Sequence, residues 1–315
     1  MNIAGLGKSP NADVLVEDIF KYGLERHIVE LDAYGFTVIP PETLHSRAGF
    51  VDDLRDAILH VSERRNNIQY GDYRTATKSV DFGTNNWWLL EEDDVFVESM
   101  LNPVVLTLAR WMCGRSAVLT GTASSIKPPK PADVENTRDW GDALKHGHLY
   151  LHNDTHAFPP PLPEMCHWLN TTWILTDYTT PEDGPTVLVP GSHRFGRVPF
   201  DHEKSWWEET NPYVAVPLQA EAGSLAVWHG FTWHGAMMRT KPGLRVSLVL
   251  VWARAFIKQI NQWREDGISP ELLERYPELH TPLGMDSLYP SPKSGEAPLK
   301  ERVEPFMRIG QDKYA

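Results

Sequence analysis

Near residue 115 the spacing of apolar residues changes, and with it the kind of structure this chain can form. Before that point apolar residues recur every three to four positions. Val16, Ile19, Phe20, Leu24, Ile28 and Leu31 follow this period, which predicts an amphipathic helix over 12–33. Gly35 stops it, and Phe36-Thr-Val-Ile39 before Pro40-Pro41 reads as a short strand. Leu54 to Val61 and Val95 to Met112 read as further helices, the second closed by Gly114. Beyond 115 the pattern is different. Ala117 to Ile126, Cys166 to Thr176, Pro185 to Val189, Gly223 to Trp228 and Leu244 to Ala253 are β-branched or aromatic runs bounded by Pro, Gly, Asp or Asn. Helices first and strands later predict an antiparallel sandwich with helices packed outside it.

Such a sandwich accommodates all 315 residues as one unit. The expected division is an N-terminal helical region over 1–115, a strand core over 116–255 and an extension over 256–315. Lys127 to Gly147 is a long, charged, proline-containing stretch of the kind that forms lids or binding loops, and 281–315 reads as an extended tail. No run of eighteen apolar residues exists, which excludes a membrane-spanning helix. The first residues lack the basic segment and apolar core of a secretory signal. With only Cys113 and Cys166, far apart, no disulfide framework is expected and a reducing cytoplasm is the default location. A formal charge of −12 repels phosphate backbones, so the expected partner is a small molecule and not a nucleic acid. Twelve tryptophans serve either a heavily packed core or an aromatic pocket; Trp87, Trp88, Trp140, Trp206, Trp207 and Trp228 are the candidates for the pocket.

Nine of the thirteen histidines fall between His146 and His234, and clustered histidines with a carboxylate are the raw material of a metal site. His152-Asn-Asp154 follows Leu149-Tyr150 at the end of a strand. Alternate strand residues share a face, so the imidazole and the carboxylate can reach one cation. A third ligand from a distant strand completes a facial triad with open positions, unlike a closed four-ligand zinc site. Downstream, Gly223-Ser-Leu-Ala-Val-Trp-His-Gly-Phe-Thr-Trp-His-Gly235 offers His229 and His234, and Arg245 lies inside the apolar run Leu244 to Val251. The planar fork of an arginine suits a carboxylate, and its alternative here is a core ion pair with an internal Asp or Glu.

Trp173-Ile-Leu-Thr-Asp-Tyr-Thr-Thr-Pro-Glu-Asp-Gly-Pro-Thr-Val-Leu-Val-Pro-Gly-Ser-His193 resembles the signature stretch of the phytanoyl-CoA dioxygenase family. The His-x-Asp upstream and the Trp-His-Gly with its trailing Arg downstream stand in that family's order. The resemblance spans roughly residues 30–255, from Tyr34-Gly-Phe-Thr-Val-Ile-Pro40 onward. It implies a mainly β fold with flanking helices, a double-stranded β-helix or jelly roll of the cupin type. It implies Fe(II) held by His152, Asp154 and His234, with 2-oxoglutarate gripped by Arg245 and O₂ as oxidant. Trp173 would lie near the co-substrate, and Ser247, on the strand face of Arg245, is a candidate for a further hydroxyl contact; apart from the resemblance, Lys127 ends a strand before Pro128-Pro129 and is a candidate to face the pocket. Ala236 stands where some members carry a hydroxyl residue. The implied activity is hydroxylation, or another oxidation, of a C–H bond in a small to medium, partly apolar substrate. The alternative is a metal-dependent hydrolase or isomerase, or a non-catalytic binding protein, on the same scaffold.

Other histidines have plainer readings. The spacing to Arg245 favours His234 over His229, which then becomes a packing residue. His156 lacks the glutamate of a zinc helix and precedes Pro159-Pro160-Pro161. His193 belongs to a Pro-Gly turn, Asp183-Gly184-Pro185 to a hairpin turn, and His146 and His148 to the loop near the entrance.

Overall fold

The computed structural model describes residues 10–77, 79, 87–129, 148–154, 158–285 and 314. Six helices come before the main strands: α1 (Pro10–Lys21), α2 (Glu25–Tyr34), α3 (Pro41–Leu44), α4 (Phe50–Asn66), α5 (Asp94–Leu101) and α6 (Pro103–Cys113). The strands are β1 (Phe36–Ile39), β2 (Val118–Lys127), β3 (Leu149–His152), β4 (Trp168–Ile174), β5 (Thr186–Leu188), β6 (Val216–Pro217), β7 (Leu225–His229), β8 (His234–Ala236) and β9 (Arg245–Ala253). A short helix, α7 (Pro270–Arg275), follows.

The strands form two antiparallel sheets, a larger one in the order β1-β7-β4-β9-β2 and a smaller one in the order β3-β8-β5-β6. Period-two alternation gives each large-sheet strand two destinations. Leu169, Trp173, Val246, Leu248, Leu250 and Trp252 join the core under the helices. Ile174, Ala226 and Trp228 point the other way and meet Leu188 of the smaller sheet. The result is a double-stranded β-helix with helices on one outer face, the predicted class. Buried apolar area on both faces of the large sheet is the main source of its stability.

Two expected helices are each broken in two. The 12–33 segment splits because Gly23 takes a positive φ of 65° between α1 and α2. Asn102-Pro103 divides 95–112: proline cannot continue a helix but starts one well, and the Asn102 side chain accepts from the Val104 and Val105 amides. Strand β1 was read correctly in place, yet it pairs with β7, far along the chain. Gly35 caps α2 at φ 82°, and a Cβ there would fall 2.4 Å from His193 Nδ1, so only glycine joins α2 to β1 here. Most of the 127–147 loop, with His146 and Trp140, and the tail from 286 except Tyr314 lie outside the described residues, as does His156.

Candidate metal and co-substrate site

Strand β3 ends at His152, and β8 begins at His234 directly opposite it in register. Asp154 sits in the turn just after β3, tied by its amide to the Gly230 carbonyl at 3.1 Å. The ligand atoms of His152, Asp154 and His234 all lie within 4.8 Å of one another, and among the described residues no other three-residue His/Cys/Asp/Glu group converges this way. Asp154 oxygens stand 3.9 Å from His152 Nε2 and 3.4 Å from His234 Nε2.

The backbone sets both rings for a cation. His152 Nδ1 lies 3.0 Å from the Tyr150 carbonyl, and His234 Nδ1 lies 3.0 Å from the Thr232 carbonyl. A carbonyl only accepts, so each Nδ1 carries a proton and each ring presents Nε2 on the side of Asp154, as the atom that a cation would take. Burial opposes charge on Asp154, but His234 and His152 outweigh it and hold the carboxyl far below its ordinary range. Two imidazoles and one ionised carboxylate on one side of a point form the donor set of a facial triad. These residues therefore fit a divalent iron ion.

The large sheet orients the carboxylate. Asn170 of β4 donates its amide to Asp154 Oδ2, and the Trp228 indole of β7 lies 3.4 Å from the same oxygen. Sequence reasoning missed Asn170. The signal was present: asparagine is depleted in strands, and this one interrupts an apolar run.

Arg245 starts β9, buried, directly opposite Lys127 at the end of β2. Its Nη1 donates to the Gly184 carbonyl and its guanidinium lies over the Tyr178 ring, 5.0 Å from the centroid. Arg245 Nε has no hydrogen-bond partner, and no carboxylate among the described residues pairs with this arginine. The cation that does pair internally is Arg239, whose guanidinium meets the Asp183 carboxylate at 3.7 Å and carbonyls around it. Lys127 Nζ donates to the Met237 carbonyl. Burial pushes its ammonium well below the ordinary value, and the neighbouring Arg245 and Arg239 push it further. Met237 is three residues past His234, so the Lys127 amine reaches the stretch of chain that supplies a metal ligand. Arg245, with no carboxylate partner among the described residues and the Lys127 amine opposite it, is placed to take a carboxylate.

Ser247 shares the face of Arg245 and lies opposite Ser125 and Ile174. Thr172, on that same face of the sheet, buries a hydroxyl without a hydrogen-bond partner; sequence reasoning overlooked it. Trp173 is a correction. It belongs to the opposite face, where its indole donates to the Ser99 carbonyl at 3.1 Å and meets Phe50 edge-on at 4.8 Å. One step along a strand reverses the side, and that step takes Trp173 into the helix-side core, away from the face that carries Ile174 and Thr172. His229 likewise turns away from the triad, accepting the Phe231 amide on Nδ1 at 3.0 Å. His148 accepts the Met238 amide and stacks on Trp207. Asp183 does sit in a turn: its carboxylate accepts from the Thr179 and Thr180 amides and positions Gly184, the partner of Arg245.

The jelly roll thus carries two histidines and an aspartate around one point, and a buried arginine with no carboxylate partner among the described residues. Residues 31–246 match the family described as phytanoyl-CoA dioxygenase (PhyH), and the chain belongs to that family. Among curated proteins, dioxygenase af480 of Aspergillus fumigatus is 24% identical over 200 residues, covering 60% of this chain. The match spans 56% of that relative's length. Among solved structures, HygX from Streptomyces hygroscopicus, with nickel and 2-oxoglutarate bound, superposes with a TM-score of 0.54 at 18% identity, covering 79% of this chain and 93% of that one. EctD from S. alaskensis, with iron bound, gives 0.54 at 19% identity and covers 73% and 76%. At such identities the likeness is one of fold. Among the described residues no helix is long and apolar enough to cross a membrane.

Proposed function

We propose that this chain is an iron(II)- and 2-oxoglutarate-dependent oxygenase acting on a C–H bond of a small to medium, partly apolar molecule. The observation that carries the reading is the pairing of a convergent His-Asp-His group with a buried arginine that no described carboxylate neutralises. A hydrolase or isomerase needs the first and not the second. HygX and EctD have been crystallised with 2-oxoglutarate, which supports the same reading.

When bound, the iron and 2-oxoglutarate supply an O₂-dependent oxidation, with succinate and CO₂ released. The chain's own residues prepare for it. His152, Asp154 and His234 hold the metal, and Asn170 and Trp228 fix which carboxylate oxygen faces the ion. Arg245 receives the far carboxylate of 2-oxoglutarate through its free Nε, Lys127 adds an amine donor, and Ser247 and Thr172 offer hydroxyls along the same face. The buried wall of Ile174, Leu188, Ala226 and Trp228 excludes water between the sheets. We read residues 1–315 as one dioxygenase domain of the cytoplasm, with a small molecule as its partner.

The test is anaerobic titration of Fe(II) and 2-oxoglutarate into the wild type and Asp154→Ala, following the weak visible charge-transfer band. A band in the wild type alone is expected. Absence of the band in a wild type that binds another divalent metal tightly would overturn the proposal in favour of a hydrolase or binding protein.

A further inference from the structure

Cys113 and Cys166 are the chain's two cysteines. One closes α6 and the other precedes β4 by two residues, yet their sulfurs lie 3.9 Å apart, and both are buried. Buried thiols are ordinarily inert packing groups. The neighbours set this pair apart. Cys166 Sγ donates to the Trp168 carbonyl at 3.1 Å, and Arg254 Nε holds the Cys166 carbonyl at 2.9 Å. His229 accepts the Phe231 amide on Nδ1, so its ring proton sits on Nε2, which has no acceptor of its own. Burial opposes ionisation at both sulfurs. At Cys166 the contact with Cys113 and the adjacent His229 overcome it and hold the thiol well below its ordinary value, whereas Cys113 is pushed up. The group does not form a second metal centre, since among the described residues only the His152, Asp154 and His234 atoms converge.

We propose that Cys113 and Cys166 are a reversible redox pair, in which a peroxide oxidises Cys166 and Cys113 resolves it into an intramolecular disulfide. The Cys166 thiolate attacks one peroxide oxygen, the O–O bond breaks, and the leaving hydroxide takes the thiol's proton as water. Cys166 is then a sulfenic acid. The sulfur of Cys113 attacks it, the S–O bond breaks, and the hydroxyl leaves with the Cys113 proton as a second water. Two thiols thereby give two electrons and two protons to one peroxide. The bond would tie α6 to the start of β4, four residues from Asn170, which orients Asp154. The pair's oxidation is independent of which reaction the metal serves.

The experiment treats the full-length, metal-free protein with a roughly ten-fold excess of hydrogen peroxide, denatures it and alkylates the remaining thiols for intact-mass measurement. The wild type is expected to lose both alkylatable thiols and about 2 Da, restored by dithiothreitol. Cys113→Ser is expected to accumulate dimedone-reactive sulfenic acid at Cys166 at least five-fold above the wild type. A wild type that keeps two alkylatable thiols while its methionines oxidise would overturn the proposal. So would stable sulfinic acid at Cys166 with Cys113 intact, or a disulfide formed only between molecules. Should Cys113→Ser not fold, peptide mapping of the oxidised wild type decides, since it either contains the Cys113–Cys166 cross-link or does not.

Discussion

Asn170 and Arg245 carry out the proposed chemistry's most exacting tasks, and each yields a separate expectation. Asn170 holds one oxygen of Asp154 from behind. Loss of such a supporting hydrogen bond weakens metal binding roughly 10- to 100-fold while leaving the ligands in place. Asn170→Ala should therefore raise the Kd for Fe(II) by that factor in an anaerobic titration, with the unfolding midpoint almost unchanged. Arg245→Gln keeps a donor but removes the charge from a buried carboxylate site. Its KM for 2-oxoglutarate should rise on the order of 100-fold, about 2.7 kcal/mol of charge-assisted binding, with Fe(II) affinity retained. Both residues were unequal in the sequence. Arg245 stood out because a buried cation in an apolar strand demands a partner. Trp173 misled for the opposite reason: the motif around it was legible, but the side of the sheet it faces depends on register, which no local spacing reveals.

At the level of elements, the turn Thr179–Gly184 determines where Arg245 points. Asp183 accepts two backbone amides at 3.1 and 2.9 Å and pairs with Lys241 at 3.0 Å, while Gly184, at φ 72°, presents its carbonyl to Arg245. Asp183→Ala removes these acceptors together. The expected outcome is a loss of about 1–3 kcal/mol in urea unfolding and a several-fold higher KM for 2-oxoglutarate with kcat little affected. Strand positions were legible because β-branched runs end at Pro and Gly, and β2, β4, β7 and β9 fall within two or three residues of expectation. Helix breaks at Gly23 and Asn102-Pro103 were written in the chain but overridden by a continuous apolar period. The pairing of β1 with β7 was not legible, since a long-range partner leaves no mark on a four-residue run.

For the molecule as a whole, the half-buried His193 ties stability to pH. Burial, with help from His229 and Arg194, lowers it to about 4. The folded state therefore refuses a proton that the unfolded chain accepts below its ordinary value near 6.5. Stability contributed by the neutral ring is complete above that value and is lost as pH falls from about 6.5 toward 4. After allowance for partial exposure the loss is on the order of 2 kcal/mol. Urea midpoints measured from pH 7 to 4 should fall through this window, and His193→Gln should flatten the decline. Ligand linkage supplies a second global readout. Fe(II) with 2-oxoglutarate at about 100 times Kd should stabilise the wild type by about 2.7 kcal/mol and leave Asp154→Ala unmoved in a thermal scan.

The metal ligands belong to the smaller sheet, whereas Lys127 and Arg245 belong to the larger one. In the proposed function, the distance between the two ends of a bound co-substrate is a thickness, the gap between two layers filled by Ile174, Leu188, Ala226 and Trp228. Such a gauge measures chain length. A dicarboxylate one methylene longer or shorter than 2-oxoglutarate would leave either Arg245 or the metal unmet, and the residues that would retune the gauge are apolar ones that touch neither end.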